Sequence, residues 1–282
     1  PGSRSWLVTC ATPDHRADSE VMTSLAELAR EHSTLERDDI EHLHRLTAEW
    51  AFLADLCFAD LLLYVRSGPG KWLIVDQVRP ATNQTMFVTD YVGTWADGDD
   101  ADLIERAAST AQRVEGAVEV GGGGDEVNHA RKLAIPVRHN GRVVAVLSKE
   151  WQVRAGRPLG ELERNYSYIF EEFVQMIEAG SFPFAGRVAD SSAAPRVGDG
   201  VLTLDSAGTV TYVSPNANSA LHRVGIQANP VGMRLAELGF HDGPVRQAFE
   251  RFEPVVEEFE HTLLNELDLV REAANANQLR RN

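Results

Sequence analysis

The sequence predicts an α+β protein: an antiparallel sheet with flanking helices, a long connecting helix, and a second, smaller α+β unit. Three observations carry this. Short β-branched or aromatic runs are joined by turn residues, "GPGK" and His139-Asn140-Gly141. A helical apolar period of three- and four-residue steps runs through 38–58 and again through 159–179. A strand–turn–strand–helix pattern, "DGVLTLDSAGTVTYVSPNANSALHRVG", occupies 199–225.

The totals set the frame. At 282 residues the chain has room for about two domains, taking roughly 150 residues per domain. The apolar fraction of 43% is enough for a packed core in each. No run of about 18 apolar residues occurs, so no membrane insertion is expected. Residues 1–21, "PGSRSWLVTCATPDH" among them, hold no apolar stretch long enough for a secretory signal. They are expected to be an extension, a tag or an upstream mis-start. Cys10 and Cys57 are the only cysteines, one in that leader and one in an apolar helix pattern, so no disulfide framework is expected. A cytoplasmic location fits best. A net charge of −15 argues against wrapping a phosphate backbone, hence no DNA partner.

Along the chain, Met22 opens a helix, "MTSLAELAREH". Asp38 or Asp39 is then expected to cap a helix towards Phe58, with Ile40, Leu43, Leu46, Trp50, Leu53, Ala54 and Cys57 forming its buried stripe. His42 and His44 are two apart and so face different ways, which does not suit one metal. "LLLYVRS" and "WLIVDQVRP" form a hairpin around "GPGK". That turn is no phosphate loop: Trp72 follows Lys71 where Ser or Thr is needed, and Val65 stands where the first glycine belongs. Residues 100–114 read as helix. "VEGAVEVGGGGDEVNHA", with glycines at 121–124, reads as a loop. "KLAIPVRHNGRVVAVLSKEW" is a hairpin turning at Asn-Gly. Its second strand is apolar on both faces through Val143 to Ser148, as in a sheet covered on both sides.

Leu159 to Ala179 reads as one long helix. Leu162, Tyr166, Ile169, Phe173 and Met176 fit a heptad seam over about two heptads. Such a seam packs either on its own domain or on a second copy in a dimeric connector, and both readings stay open. Gly180, Pro183 and Gly186 end it, and "ADSSAAPRVGDG" crosses to the second unit. There Ser214 caps a helix with Pro215 at its first position. Ala217, Ala220, Leu221 and Val224 line its face, and Gly225 stops it. The result is a small cup that a ligand or side chains can fill.

At this point a resemblance becomes specific. Residues 22–157 resemble a GAF-type sensor domain, 158–180 a connector helix, 181–195 a linker, and 196–254 an incomplete PAS domain, its first part. The matching strings are "HLHRLTAEWAFLADLCFADLLLYVR", "VVAVLSKE", "EAGSFPFAG", "PRVGDGVLTLD" and "TYVSPNANSALHRVG", in that order. They are similar to the actinobacterial cytosolic sensor histidine kinases of the PdtaS type. The resemblance implies the sensory region of a two-component system. A homodimer would sense a small-molecule ligand and regulate autophosphorylation of a downstream kinase core, which hands the phosphoryl group to a response regulator. The chain departs from that pattern in its catalytic parts. His44 and His222 are each followed by Arg, but then by Leu-Thr and Val-Gly, and no phosphoacceptor string or ATP-binding box occurs. The chain alone is expected to be inactive in phosphotransfer.

Residues 255–282 form a helical tail rather than the closing strands of a PAS domain. "NELDL" and "REAAN" resemble a fragment of the ABC1/UbiB kinase-like family, which would place Glu266 and Asp268 at a metal–nucleotide site. Two residues apart, they face different ways on a helix and cannot hold one metal alone. Three functions from different classes therefore stand: a sensory region, a kinase-like fragment, and a dimerisation scaffold that senses nothing. Candidate ligand-binding residues are Cys57, Trp95 and His129 in the first unit and Tyr212 and His222 in the second. Each has a core or loop reading beside it. No catalytic or metal-binding residue is assigned, and nothing selects a cofactor.

Overall fold

The computed structural model describes residues 24–87, 89–121, 127–152, 159–183, 196–205, 207–240 and 243, without the side chains of 118–121 and 127–129. The expected extension, residues 184–195 of the linker and the whole tail lie outside the described residues.

Helix α1 (Leu25–His32) starts in a capping box: Glu27 N–H donates to Ser24 Oγ, and Glu27 returns its carboxylate to Ser24 N–H. Helix α2 (Arg37–Cys57) starts earlier than the sequence reading has it. Glu36 occupies the cap position, and Asp39 lies inside the first turn, accepting the Glu36 N–H at 2.9 Å. The apolar stripe lies where the three- and four-residue steps put it, from Ile40 to Cys57.

Strands β1 (Asp60–Gly68) and β2 (Lys71–Val78) form the first hairpin. Helix α3 (Gly98–Thr110) follows, then β3 (Val114–Gly121), β4 (Val127–His139) and β5 (Arg142–Gln152). The sheet order is β2-β1-β5-β4-β3, antiparallel throughout. The β4–β5 turn puts Asn140 and Gly141 at φ 49° and 79°, the left-handed pair that Asn-Gly favours.

One expectation fails here. Residues 114–121 and 127–130 are paired strand, not loop. The apolar pattern of "VEGAVEVG" is too weak to announce a strand, and main-chain pairing to β4 supplies what the side chains do not. Gly116 has a packing reason. A Cβ there would lie 2.2 Å from Leu103 Cδ1, so α3 crosses the sheet over a bare backbone.

Helices α1, α2 and α4 (Glu161–Ala179) cover one face of the sheet, and α3 covers the other. Tyr166, Phe170, Phe173, Val174 and Ile177 of α4 are buried in the first face, against α2 and β4, while Tyr168 is 64% exposed. Gly180 ends α4 at φ 76°.

The second unit holds β6 (Leu202–Leu204), β7 (Val210–Val213) and α5 (Pro215–Arg223) around Leu202, Val210, Ala217, Leu235 and Leu238. Ser214 caps α5 as expected, its Oγ accepting from Ala217 N–H and Val201 N–H. Val224, expected on the buried face, is 36% exposed, because the helix ends at Arg223 and the chain turns away at Gly225. The unit docks on the first one. Val197 and Val201 are buried in the first core, Tyr212 packs against it, and Arg196 pairs with Asp55 of α2 at 2.9 Å.

Candidate functional site

Strand alternation decides which side chains meet beneath α3. It brings Leu62 and Tyr64 of β1, Lys132 and Ala134 of β4, and Val146, Ser148 and Glu150 of β5 to that face. Lys132 and Glu150 are cross-strand partners. Their side chains are each 3% exposed and meet at 2.8 Å. Asp100, in the first turn of α3, forms a second close ion pair with Lys132. Lys132 Nζ also donates to Tyr64 Oη at 2.9 Å, and Ser148 Oγ donates to Glu150 at 2.9 Å. Two carboxylates and a phenol thus surround the ammonium.

Burial by itself would lower the Lys132 ammonium, but Tyr64, Glu150 and Asp100 outweigh that and hold its pKa above the usual lysine value. Burial raises Tyr64, which stays a neutral phenol, and it raises the Glu150 carboxyl against the pull of Lys132. The lysine is therefore a locked cation. It is neither a nucleophile nor a free anion-binding charge.

Above this cluster lies a cavity of about 550 Å³. That is in the range of small-molecule sites, roughly 300–1,000 Å³. Its floor is the sheet, with Leu62, Tyr64, Ile74, Lys132 and Glu150. Its wall is the β2–α3 connection, through Phe87, Tyr91 and Trp95, and its lip is the start of α3, with Asp97, Asp99 and Asp100. Two carboxylates, each 1% exposed, anchor that connection. Asp60 accepts Thr85 Oγ1 at 2.6 Å and Met86 N–H at 2.8 Å, and Asp55 accepts Ala81 N–H at 2.6 Å. Further on, the connection adds to the edge of β2: Ile74 and Thr94 share a main-chain bond at 3.0 Å, and Ala96 N–H donates to Trp72 O at 2.9 Å. The wall is thus held along its length.

Of the five residues proposed from sequence, the structure brings Trp95 to this cavity, 47% exposed, with its ring edge-on to His32 at 5.6 Å. Cys57 lies on the opposite face of the sheet. Burial pushes its thiol up to about 12, so it remains protonated. His129 pairs in the β3–β4 ladder opposite Glu119, and its side chain is outside the described residues. Tyr212 sits at the junction of the two units, where burial raises its phenol beside Tyr166 and Glu161. His222 is exposed in the last turn of α5.

Tyr64, Asp100, Lys132 and Glu150 escaped the sequence reading. The one available signal was Lys132, among three lysines in the chain, placed on the inward period of a strand that otherwise reads as apolar.

A second ionisable cluster stands at the β4–β5 turn. His42 stacks on His139 with centroids 4.3 Å apart, His139 Nδ1 meets Asp39 at 3.1 Å, and Arg142 closes on the same carboxylate. Burial, followed by the charges of His139 and Arg45, drives His42 down to about 4. Among the described residues, no group of three or more His, Cys, Asp or Glu is arranged to hold a metal ion. No helix there is long and apolar enough to cross a membrane.

Comparison with known proteins agrees with this architecture. Residues 25–169, just over half of the chain, match the family model "Histidine kinase PdtaS, GAF domain". The chain is 36% identical over 217 residues to the sensor histidine kinase PdtaS of Mycolicibacterium smegmatis, covering 77% of this chain and 44% of that protein. It is 39% identical over 220 residues to that of Mycobacterium tuberculosis, covering 77% and 43%. A solved structure described as the sensor region of a sensor histidine kinase superposes with a TM-score of 0.65 at 34% identity, over 81% of this chain and 80% of that one. The chain spans less than half the length of the curated relatives it matches. It is a sensor region with a GAF domain and belongs to the PdtaS family of sensor histidine kinases.

Proposed function

We propose that this chain receives a small-molecule cue in the cavity beneath α3 and passes its state to a downstream kinase core, setting the rate of autophosphorylation and of phosphotransfer to a response regulator. The second unit acts as a PAS-like relay, and the assembly works as a cytoplasmic homodimer. Of the residues picked out from sequence, Trp95 contributes to the cavity and Tyr212 to the relay; Cys57, His129 and His222 are left outside this reading. The observation that carries the proposal is the path of the cavity wall. The β2–α3 connection lines the cavity through Phe87, Tyr91 and Trp95 and, at Ala81, bonds to Asp55, the same carboxylate that pairs with Arg196 at the entrance to the second unit. A ligand that moves the wall pulls on that carboxylate.

The test uses the full-length kinase carrying Ala96→Phe, which fills the cavity, or Trp95→Ala, which opens it. Label from ATP on the kinase's own histidine is expected to appear at a severalfold altered rate in at least one variant. Wild-type rates in both would sink the sensory reading. The scaffold reading draws on Leu159 and Tyr168, exposed at 55% and 64% near and on α4. It predicts that Tyr168→Glu abolishes dimers while the cavity variants change nothing. The kinase-like reading rests on Glu266 and Asp268, outside the described residues; it predicts nucleotide hydrolysis by this chain, and none is expected.

A further inference from the structure

Granting that the cavity is the receiving site, its charge and surface specify a class of ligand. We infer that it takes an organic cation: an apolar or aromatic body carrying one amine or comparable positive group.

The cavity has no free positive charge to offer. Its lysine, Lys132, is buried and enclosed by Glu150 and Asp100, with Tyr64 Oη accepting from it. With Asp97 and Asp99 added, the lining holds four carboxylates to one ammonium. Among the described residues neither Asp97 nor Asp99 pairs with a cation. The positive end of α3, which could otherwise draw an anion, already faces Asp99 and Asp100 in its own first turn. An anionic ligand entering here would lose its hydration and meet carboxylates, so anions are disfavoured.

The same wall suits a cation. Phe87, Tyr91 and Trp95 line the cavity on one side. An aromatic face attracts an ammonium within about 6 Å of its centroid, and the attraction grows as water is excluded. The sheet side, through Leu62 and Ile74, takes an apolar body. The cavity volume of about 550 Å³ accommodates a ring, a short chain and the charged head together. The head group belongs at the lip, between Trp95 and Asp97, where it keeps some water. The apolar body points towards Ile74.

Three probes of nearly one shape separate charge from shape: 2-phenylethylamine, 2-phenylethanol and phenylacetate, each titrated into the full chain and followed by protein NMR and calorimetry. The amine is expected to bind about tenfold more tightly than the alcohol, from one aromatic and one carboxylate contact, with phenylacetate weakest. Asp97→Asn, at an exposed position, should weaken the amine about threefold and leave the alcohol nearly unchanged, whereas Trp95→Ala should weaken both probes, the amine more. Phenylacetate binding tightest, equal binding of all three, or binding of none overturns the cation assignment. If Ala96→Phe still alters the parent kinase, the sensory reading survives that result. If neither that variant nor Trp95→Ala alters it, both fall together.

Discussion

The two faces of the first sheet are built from the same strands and reach opposite ends. On the α1/α2/α4 face, Leu61, Leu63, Val65, Ile135 and Leu147 meet helical Leu, Phe and Ile side chains, and the space is filled with hydrocarbon. On the α3 face, alternate residues of those strands include Tyr64, Lys132, Ser148 and Glu150, and one shorter helix covers part of the area. The first face supplies stability. The second spends some of it on buried charge and leaves a cavity. The difference teaches that a single strand can serve both ends, because its side chains alternate sides every residue.

This contrast can be broken most forcefully at the buried ion cluster. Lys132→Met leaves Glu150 without its cation in a buried site and is expected to cost about 3–5 kcal/mol in urea unfolding followed by circular dichroism. The double variant Lys132→Met/Glu150→Gln should recover part of that loss. A double variant as unstable as the single one would mean that the charges are not coupled.

On the filled face, Leu63→Ala is expected to cost about 3 kcal/mol, while Ile74→Ala, whose side chain already borders the cavity, should cost about 1–2 kcal/mol. Equal losses would erase the difference between the faces. In the second unit, Gly200 has φ 119°, and a Cβ there would lie 2.7 Å from Ala217 backbone atoms. Gly200→Ala should therefore loosen the second unit by more than about 1 kcal/mol. Amide exchange would rise at 201–214 and stay unchanged in β5.

The α1/α2/α4 side also carries a pH signature. His42 is held at about 4 in the fold against 6.5 in the open chain. The unfolded state therefore takes up the proton first. Stability is whole above about 6.5 and drains away as pH falls towards 4. His42→Gln should flatten thermal-unfolding curves across that window, and an unchanged slope would assign the effect elsewhere. The smallest effect belongs to the exposed Arg131–Glu115 pair, where Arg131→Gln should change stability by less than about 0.5 kcal/mol.

Much of this is legible in the chain itself. The two hairpins, the long helices, the Asn-Gly turn and the Ser214-Pro215 helix start are local, so their residues carry their own instructions. Strand β3 was not legible, because "VEGAVEVG" owes its extended form to a partner strand reached through space. Trp95 was legible as a pocket candidate, whereas Cys57 shows how little residue type says about side. Its helix packs on the sheet, but on the face turned away from the cavity.

The ion cluster marks the boundary most clearly. Around the Asn-Gly turn His139 pairs with Arg142, and that register carried straight back would set Lys132 opposite Lys149. A bulge between Val137 and Arg138 moves the register by one residue and sets Lys132 opposite Glu150 instead. The amino-acid order by itself determined the elements and their apolar faces, since short-range sterics and periodicity suffice for those. Only the tertiary structure decided which charges meet and where space is left, because one shifted residue exchanges a like-charge pair for an ion pair and turns every following side chain to the other face.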